Sequence, residues 1–184
     1  MAKIRHIPVP PPLEYVFKQR GIKLKKFKTA AAFEKKFKKF VATQHVLHLS
    51  TCKENTPRST PLEYRTDGMN FFILSEGGAK FDNLKHNKKV SFSIAAPYNS
   101  EEDFCGYKGV QAFGTAKVHS RKDLPKEFMA AFRKMKLGAA MKTMGMKALP
   151  AEFNYRIIEI ILDRFKYGNP SEGIYWTYWQ RKGE

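Results

Sequence analysis

The sequence has few cysteines, few acidic residues and no long apolar run, and each shortage excludes a class of protein. Cys52 and Cys105 are the only cysteines among 184 residues, too few for a disulfide framework and without the spacing of a metal site. No segment approaches the roughly 20 apolar residues that a membrane-spanning helix needs. The N-terminus also lacks the apolar core of a signal peptide. We therefore expect a cytoplasmic protein without a membrane partner.

Motifs of several common enzyme classes are absent as well. The sequence contains no H-E-x-x-H, G-x-S-x-G, Walker loop or G-x-G-x-x-G. Their absence argues against zincins, serine hydrolases, P-loop nucleotidases and Rossmann dehydrogenases. The five histidines show no diagnostic spacing, so neither a catalytic side chain nor a metal ligand is predicted.

The shortage of acidic residues leaves a net charge of +17, from 34 Lys and Arg against 17 Asp and Glu. The basic residues cluster at 18–28, 35–39 and 133–147. A basic surface attracts anionic cofactors and substrates, and composition alone leaves a nucleic-acid-binding module open as an alternative. Within 29–42, however, the phenylalanines fall on one helical face. The pattern there predicts an amphipathic helix whose lysines lie in solvent.

With 42% hydrophobic and 14% aromatic residues, the chain can bury the core of one domain. We predict a single domain over 29–184, preceded by a basic, proline-containing arm over 1–28 whose PVPPP segment is extended or polyproline-like. A helical insertion is expected near 121–147, with Asp123 as its cap and Pro125 in its first turn. The β-branched and aromatic runs at 155–162 and 173–179 predict the last strands.

The most informative stretch begins at Arg58. Residues 59–64 and 70–74 are strand-like and flank turn residues at 66–68, which predicts a hairpin. Gly77 and Gly78 follow, and residues 81–84 begin a short helix. Glycines at such a junction let the backbone approach an anion closely.

Lys80 stands at this junction between loop and helix. A phosphate there could accept hydrogen bonds from backbone N–H groups, the Ser75 hydroxyl and the Lys80 ammonium. The pattern therefore predicts a site for a phosphorylated cofactor. An ordinary strand-to-helix turn with a solvated lysine is the structural alternative.

Four segments follow one another along the chain: a strand at 45–51, an x-T-P-φ strand at 57–62, a strand, glycine loop, helix and strand over 70–94, and a G-V-x-φ-x-G-x-A strand at 109–116. In this order they resemble the flavin-binding split-barrel family related to pyridoxamine 5′-phosphate oxidase. The resemblance implies a mainly β fold with flanking helices (α+β). It further implies a six-stranded-type antiparallel split β-barrel that binds FMN as a homodimer.

The resemblance also implies which residues form the FMN site. Lys80 and Arg58 would meet the phosphate, and Ser75 with the backbone of Gly78 and Ala79 would complete the phosphate loop. The residues that would lie against the isoalloxazine edge are Ser59, Thr60, Pro61 and Leu62. A further candidate on the later strand is Gln111.

The function implied is that of an FMN-binding protein, a flavin-dependent oxidoreductase with an unassigned small-molecule redox substrate. The flavin itself carries the redox chemistry in such proteins, so no side chain need act as a base. The C-terminal part does not match the substrate-binding segments of pyridoxamine 5′-phosphate oxidase, and a vitamin B6 oxidase is not predicted. A haem-binding or haem-degrading protein is the first alternative, because related split barrels have been adapted to haem. A nucleic-acid-binding module is the second.

Overall fold

The computed structural model describes residues 2–183, which form nine strands and five α-helices in a mostly antiparallel arrangement. In chain order the elements are β1 (Lys3–His6), α1 (Pro11–Gln19), α2 (Ala30–Val41), β2 (Val46–Lys53), β3 (Thr56–Glu63), β4 (Arg65–Asp67), β5 (Asn70–Ser75), α3 (Ala79–His86), β6 (Lys89–Ala95), β7 (Gly109–Ser120), α4 (Pro125–Met135), α5 (Gly138–Thr143), β8 (Arg156–Asn169), a 3₁₀ turn (Pro170–Glu172) and β9 (Ile174–Gln180). The predicted mainly β architecture with flanking helices is confirmed.

The residues of the chain group into two compact units, within each of which most of their contacts lie. Unit 1 contains the described residues of 2–44, 91–113 and 162–183, and unit 2 contains 45–90 and 114–161. Strands β6, β7 and β8 each contribute residues to both units. The predicted boundary at residue 28, between an arm and a domain, stays a prediction.

The first residues of unit 1 form regular structure instead of a wholly extended segment. Strand β1 pairs antiparallel with β9, in a register that sets Ile4 opposite Trp179. Helix α1 begins at Pro11 and buries Phe17. The extended conformation expected over the whole PVPPP segment is therefore wrong for its last two residues. Proline suits the first helical turn because that turn leaves its N–H groups without intrahelical partners.

An aromatic cluster forms the core of unit 1. Helix α2 buries phenylalanines at helical spacing, as its sequence pattern predicts. The Phe37 ring stacks on Phe165 with centroids 4.0 Å apart, and Phe165 stacks on Trp179 at 5.1 Å. The Trp179 Nε1–H donates to Glu34 Oε1 at 2.8 Å, which ties α2 to β9. Thr29 is the N-cap of this helix, and its hydroxyl accepts a hydrogen bond from the Ala32 N–H.

Unit 2 contains two hairpins, and one of them differs from the prediction. Strand β3 pairs with β2, not with β5, through a turn in which Glu54 and Asn55 have φ of 49° and 61°. Positive φ at both central residues is the requirement of a type I′ turn. The short strand β4 takes the place predicted for 59–64, and sets Arg65 opposite Phe72.

The core of unit 2 packs helix α4 against strands β5 and β8. Phe72, Phe128, Met135 and Ile157 belong to this buried cluster. Pro125 opens α4 as predicted, but the N-cap position is Leu124 and not Asp123. The helix ends before Gly138, because Lys136 adopts a left-handed conformation with φ of 51°.

Two further findings concern the whole of residues 2–183. None of the helices there is both long and apolar enough to cross a membrane. Over the same residues, no group of three or more His, Cys, Asp and Glu side chains is placed to hold a metal ion. Cys52 and Cys105 are both unpaired thiols.

Candidate functional site

The loop between β5 and α3 has a backbone geometry that requires glycine. Gly78 is the N-cap of α3, with φ of 104° and ψ of 163°, a conformation that side-chain-bearing residues rarely adopt. A Cβ atom at Gly78 would lie 3.3 Å from the Lys80 Nζ. Glycine at this position therefore both permits the turn and leaves space in front of the lysine.

Lys80 is unusually buried for a lysine. Only 7% of its surface is exposed, and its ammonium donates a hydrogen bond to the Gly77 carbonyl oxygen. The Ser75 hydroxyl donates to the same carbonyl oxygen at 3.4 Å. Two of the side chains predicted to hold a phosphate, Lys80 and Ser75, thus converge on one point of the loop. A buried charge needs a compensating partner, because removal from water destabilises it.

The electrostatic surroundings of Lys80 are mainly positive. Burial is the largest cause of a lowered pKa for Lys80, and the charge of Arg58 lowers this pKa further. Glu76 raises the Lys80 pKa, and Arg156 lowers it again. Three cations, Lys80, Arg58 and Arg156, therefore lie near this loop with only one carboxylate, that of Glu76, to oppose them. Such a concentration of like charge favours a bound anion, and ionisable groups with perturbed pKa values are more frequent at functional sites.

Arg156 is the member of this cluster that sequence reasoning missed. It is the first residue of β8, and antiparallel pairing sets it directly opposite Ser75. Its guanidinium lies 4.9 Å from the centre of the Phe81 ring. In the sequence, Arg156 only begins a β-branched run more than 70 residues beyond the loop. The one available signal is a charged residue at the start of this β-branched run.

Helix α3 is fixed to β2 by two side-chain hydrogen bonds. The buried Asn83 amide donates to the Thr51 hydroxyl at 3.0 Å. Nearer the loop, the Lys53 ammonium donates to Asp82 Oδ2 at 3.1 Å. This bond is the largest cause of a raised pKa for Lys53 and of a lowered pKa for Asp82. The helix that carries Lys80 is thus held in a defined position.

Strand β3 carries five of the predicted residues and is open along its whole length. Arg58, Ser59, Thr60, Pro61 and Leu62 all lie on it, and none of its eight residues is buried. It forms an edge of the sheet, where proline is tolerated because it lacks the N–H that a central strand donates. The strand therefore offers an uncovered surface that begins at Arg58, one member of the cation cluster.

The predicted residues are only partly brought together. Ser75, Gly78, Ala79 and Lys80 form one loop and the start of α3. Arg58 interacts electrostatically with Lys80. Gln111 lies exposed on the part of β7 that belongs to unit 1. Its role in a flavin site stays a prediction.

Fold and site together define a split-barrel protein with a cluster of cations where a strand meets a short helix. The pyridoxamine 5′-phosphate oxidase family matches residues 33–167, which is more than half of the chain. The chain therefore belongs to that family, as the order of its segments predicts. No protein of curated function matches the sequence.

Three solved structures illustrate the similarity. General stress protein 26 from Bacillus anthracis is 18% identical, with a TM-score of 0.53, over 75% of this chain and 95% of its own. An FAD-binding protein from Mesorhizobium loti is 17% identical, with a TM-score of 0.54, over 78% and 92%. A haem-binding protein from Mycobacterium smegmatis is 22% identical, with a TM-score of 0.55, over 78% and 56%. At these identities the similarity shows a shared fold alone.

Proposed function

We propose that this protein binds FMN through the loop at 75–80 and acts as a flavin-dependent oxidoreductase. The observation that carries the proposal is the buried Lys80 ammonium, with Arg58 and Arg156 beside it and Glu76 as the opposing carboxylate. The phosphate of FMN is a compact dianion that would compensate these charges. Family membership and the FAD-binding neighbour from Mesorhizobium loti support a flavin ligand.

Each part of the loop has a definite task in this proposal. Lys80 and Arg58 hold the phosphate, and the first N–H groups of α3 donate to it. Gly78 keeps the approach open, since a Cβ there would lie beside the Lys80 ammonium. A bound flavin supplies the transfer of hydride or electrons. Residues 59–62 of β3 position the ring edge.

The same proposal includes a homodimer. Strand β3 has no buried residue in the single chain and lies at a sheet edge. Exposed strand edges favour pairing with, or coverage by, another chain. A second copy of this protein that covers β3 would exclude water from the flavin, which strengthens the electrostatic contacts to it.

The experiment that tests the function is a visible absorption spectrum of the purified protein before and after addition of FMN, followed by gel filtration. We expect flavin absorbance to co-elute with the protein at the size of a dimer. A colourless protein that retains no FMN would contradict the proposal. Retention of haem instead, seen as haem absorbance, would favour the function named for the Mycobacterium smegmatis neighbour.

The affinity for FMN is expected to fall at alkaline pH. Burial and Arg58 lower the pKa of Lys80 from its ordinary value of 10.5, and only the protonated ammonium carries the charge that attracts the phosphate. The affinity for FMN is therefore highest below the lowered pKa of Lys80 and falls as the pH rises through that pKa. Titrations from about pH 7, above the second pKa of a phosphate near 6, to about pH 10 measure this loss.

The matched control is Lys80→Arg, because its guanidinium stays protonated over the whole range. We expect this variant to show little alkaline loss of affinity.

The titration of Lys80 also makes the free energy of unfolding depend on pH. Between the lowered pKa and 10.5 the unfolded chain holds this proton and the folded chain does not, so the free energy of unfolding contributed by this group rises with pH. Equal pH profiles of FMN affinity in the native protein and the Lys80→Arg variant would show that Lys80 is not part of the site.

A second candidate function, polyanion binding, is favoured by the charge of the first segment of unit 1. Residues 2–44 contain twelve Lys and Arg but only two acidic residues. Lys23, Lys25, Lys26 and Lys28 are exposed on one loop. The backbone of this loop is anchored, because the Lys25 N–H donates to the Gly173 carbonyl oxygen and the Phe27 N–H donates to His6 Nε2, both at 2.8 Å. The four lysines are thus presented from a fixed backbone.

If these four lysines contact a single-stranded nucleic acid, its binding should depend steeply on salt. Four neutralised phosphates give a slope of about −3 for the logarithm of affinity against that of salt concentration. We expect replacement of all four lysines by alanine to abolish this dependence. A control variant with the same change in charge has four lysines of unit 2 replaced by alanine: Lys117, Lys126, Lys142 and Lys147. Equal binding by the two variants would contradict this candidate.

A further inference from the structure

A cavity of about 490 Å³ in unit 2 adjoins the phosphate loop. Its lining includes Gly78 and Arg156 from the proposed phosphate site, together with Lys85, Lys88 and Leu124. This volume lies within the range of about 300 to 1,000 Å³ that is usual for small-molecule sites. A mononucleotide flavin that ends at Lys80 would make no use of most of this lining.

The charges around the cavity favour a second phosphate group. Lys85, Lys88 and Arg156 contribute three cations to the lining, against Asp82 and Asp123. Asp82 is already paired with Lys53 at 3.1 Å, so the lining is positive on balance. Arg156 also lowers the pKa of Lys80, which shows that its charge acts at the phosphate loop as well. A ligand with two linked phosphates could therefore reach from Lys80 to Arg156 and Lys88.

The remainder of the cavity suits a nucleoside. Leu84, Val118 and Leu124 give it an apolar part, where the flat face of a base would displace water. Asp123 places a carboxylate in the same lining, and a carboxylate accepts hydrogen bonds from ribose hydroxyls or from an exocyclic amino group. Cations, apolar surface and an acceptor thus occur together in one cavity.

We propose that this cavity accepts the adenylate half of a flavin dinucleotide, so that FAD binds more tightly than FMN. The inference rests on the proposed function, because the flavin mononucleotide half is held by Lys80 and Arg58 as described above. The second phosphate lies between Arg156 and Lys88, and the adenosine occupies the apolar part of the cavity.

The test compares the affinities of FMN and FAD by quenching of intrinsic fluorescence, in the native protein and in the double variant Lys85→Ala, Lys88→Ala. We expect the native protein to bind FAD at least tenfold more tightly than FMN. The double variant should lose most of this preference while its affinity for FMN changes less than twofold. Both lysines are exposed, so these changes leave the core intact.

Lys89→Ala provides the matched control, because Lys89 neighbours Lys88 in the chain, is exposed and does not line the cavity. We expect it to keep the full preference for FAD. Equal affinities for FMN and FAD, or a preference unchanged in the double variant, would overturn the inference and leave the proposed function standing. Failure to bind either flavin would overturn both. AMP is also titrated against the FMN-loaded protein. An affinity for AMP that accounts for the whole gain of FAD over FMN would assign the cavity to a separate nucleotide and overturn the dinucleotide proposal.

Discussion

Replacement of Lys80 by alanine is expected to weaken FMN binding by about 1.5 to 3 kcal/mol, the usual range for a hydrogen bond to a charged group. This corresponds to a roughly 10- to 150-fold increase in Kd. Lys80 is 7% exposed, so water screens its attraction for a phosphate only weakly. Fluorescence titration of FMN, at neutral pH and low salt, measures the change.

Two variants separate this effect from a general loss of charge. Lys117→Ala removes an equal charge from an exposed position on β7 and should leave the affinity for FMN within about twofold, because exposed charges are screened by solvent and salt. Lys80→Met keeps the length and apolar stem of the side chain, and should lose as much affinity as the alanine variant. If folded Lys80→Ala binds FMN like the native protein, the loop at 75–80 is not the phosphate site.

Replacement of Gly114 by alanine is expected to lower the free energy of unfolding by about 3 kcal/mol, the upper part of the range for overpacking. Gly114 lies on β7, where an added Cβ would stand 2.5 Å from the Ile161 carbonyl oxygen and 2.9 Å from Ile160 Cγ2. The first of these atoms is backbone, so a rotamer change cannot relieve the contact. Urea denaturation followed by circular dichroism measures the loss.

Gly138→Ala is the matched control for this prediction. Gly138 begins α5, and an added Cβ there would meet nothing within 4 Å. Since alanine favours the helix and restricts the unfolded chain, we expect a gain of about 0.5 to 1 kcal/mol. A Gly114→Ala protein as stable as the native one, with an unchanged denaturant slope, would show that β7 does not approach Ile161 so closely.

Sequence reasoning succeeded where the signal is local. The phenylalanine spacing in 29–42 predicts α2, and the same residues are buried. The glycines before Lys80 predict the strand-to-helix loop, and Gly78 indeed has a conformation suited to glycine. Gly114 also belongs to the G-V-x-φ-x-G-x-A run, although its spacing alone does not say which atoms approach it.

The errors concern which strands pair and where segments end. The sequence pattern predicts residues 59–64 opposite 70–74, but β3 pairs with β2 and leaves β4 opposite β5. The deciding turn at Glu54 and Asn55 lacks the glycine that usually marks a two-residue hairpin. Similarly, PVPPP predicts an extended arm, whereas its last two prolines begin α1 because proline suits a first helical turn.

The sequence by itself determined the mainly β class, the family, the amphipathic helix α2 and the position of Lys80 in a glycine loop. These features depend on residues that are neighbours in the chain, where spacing and backbone preference act directly. Only the tertiary structure decided that Lys80 is buried, that Arg58 and Arg156 surround it, and that a cavity continues beyond Gly78. The physical reason is that antiparallel pairing of β5 with β8 sets Arg156 opposite Ser75, and the electrostatic field at Lys80 depends on distance in space, which separation along the chain does not reveal.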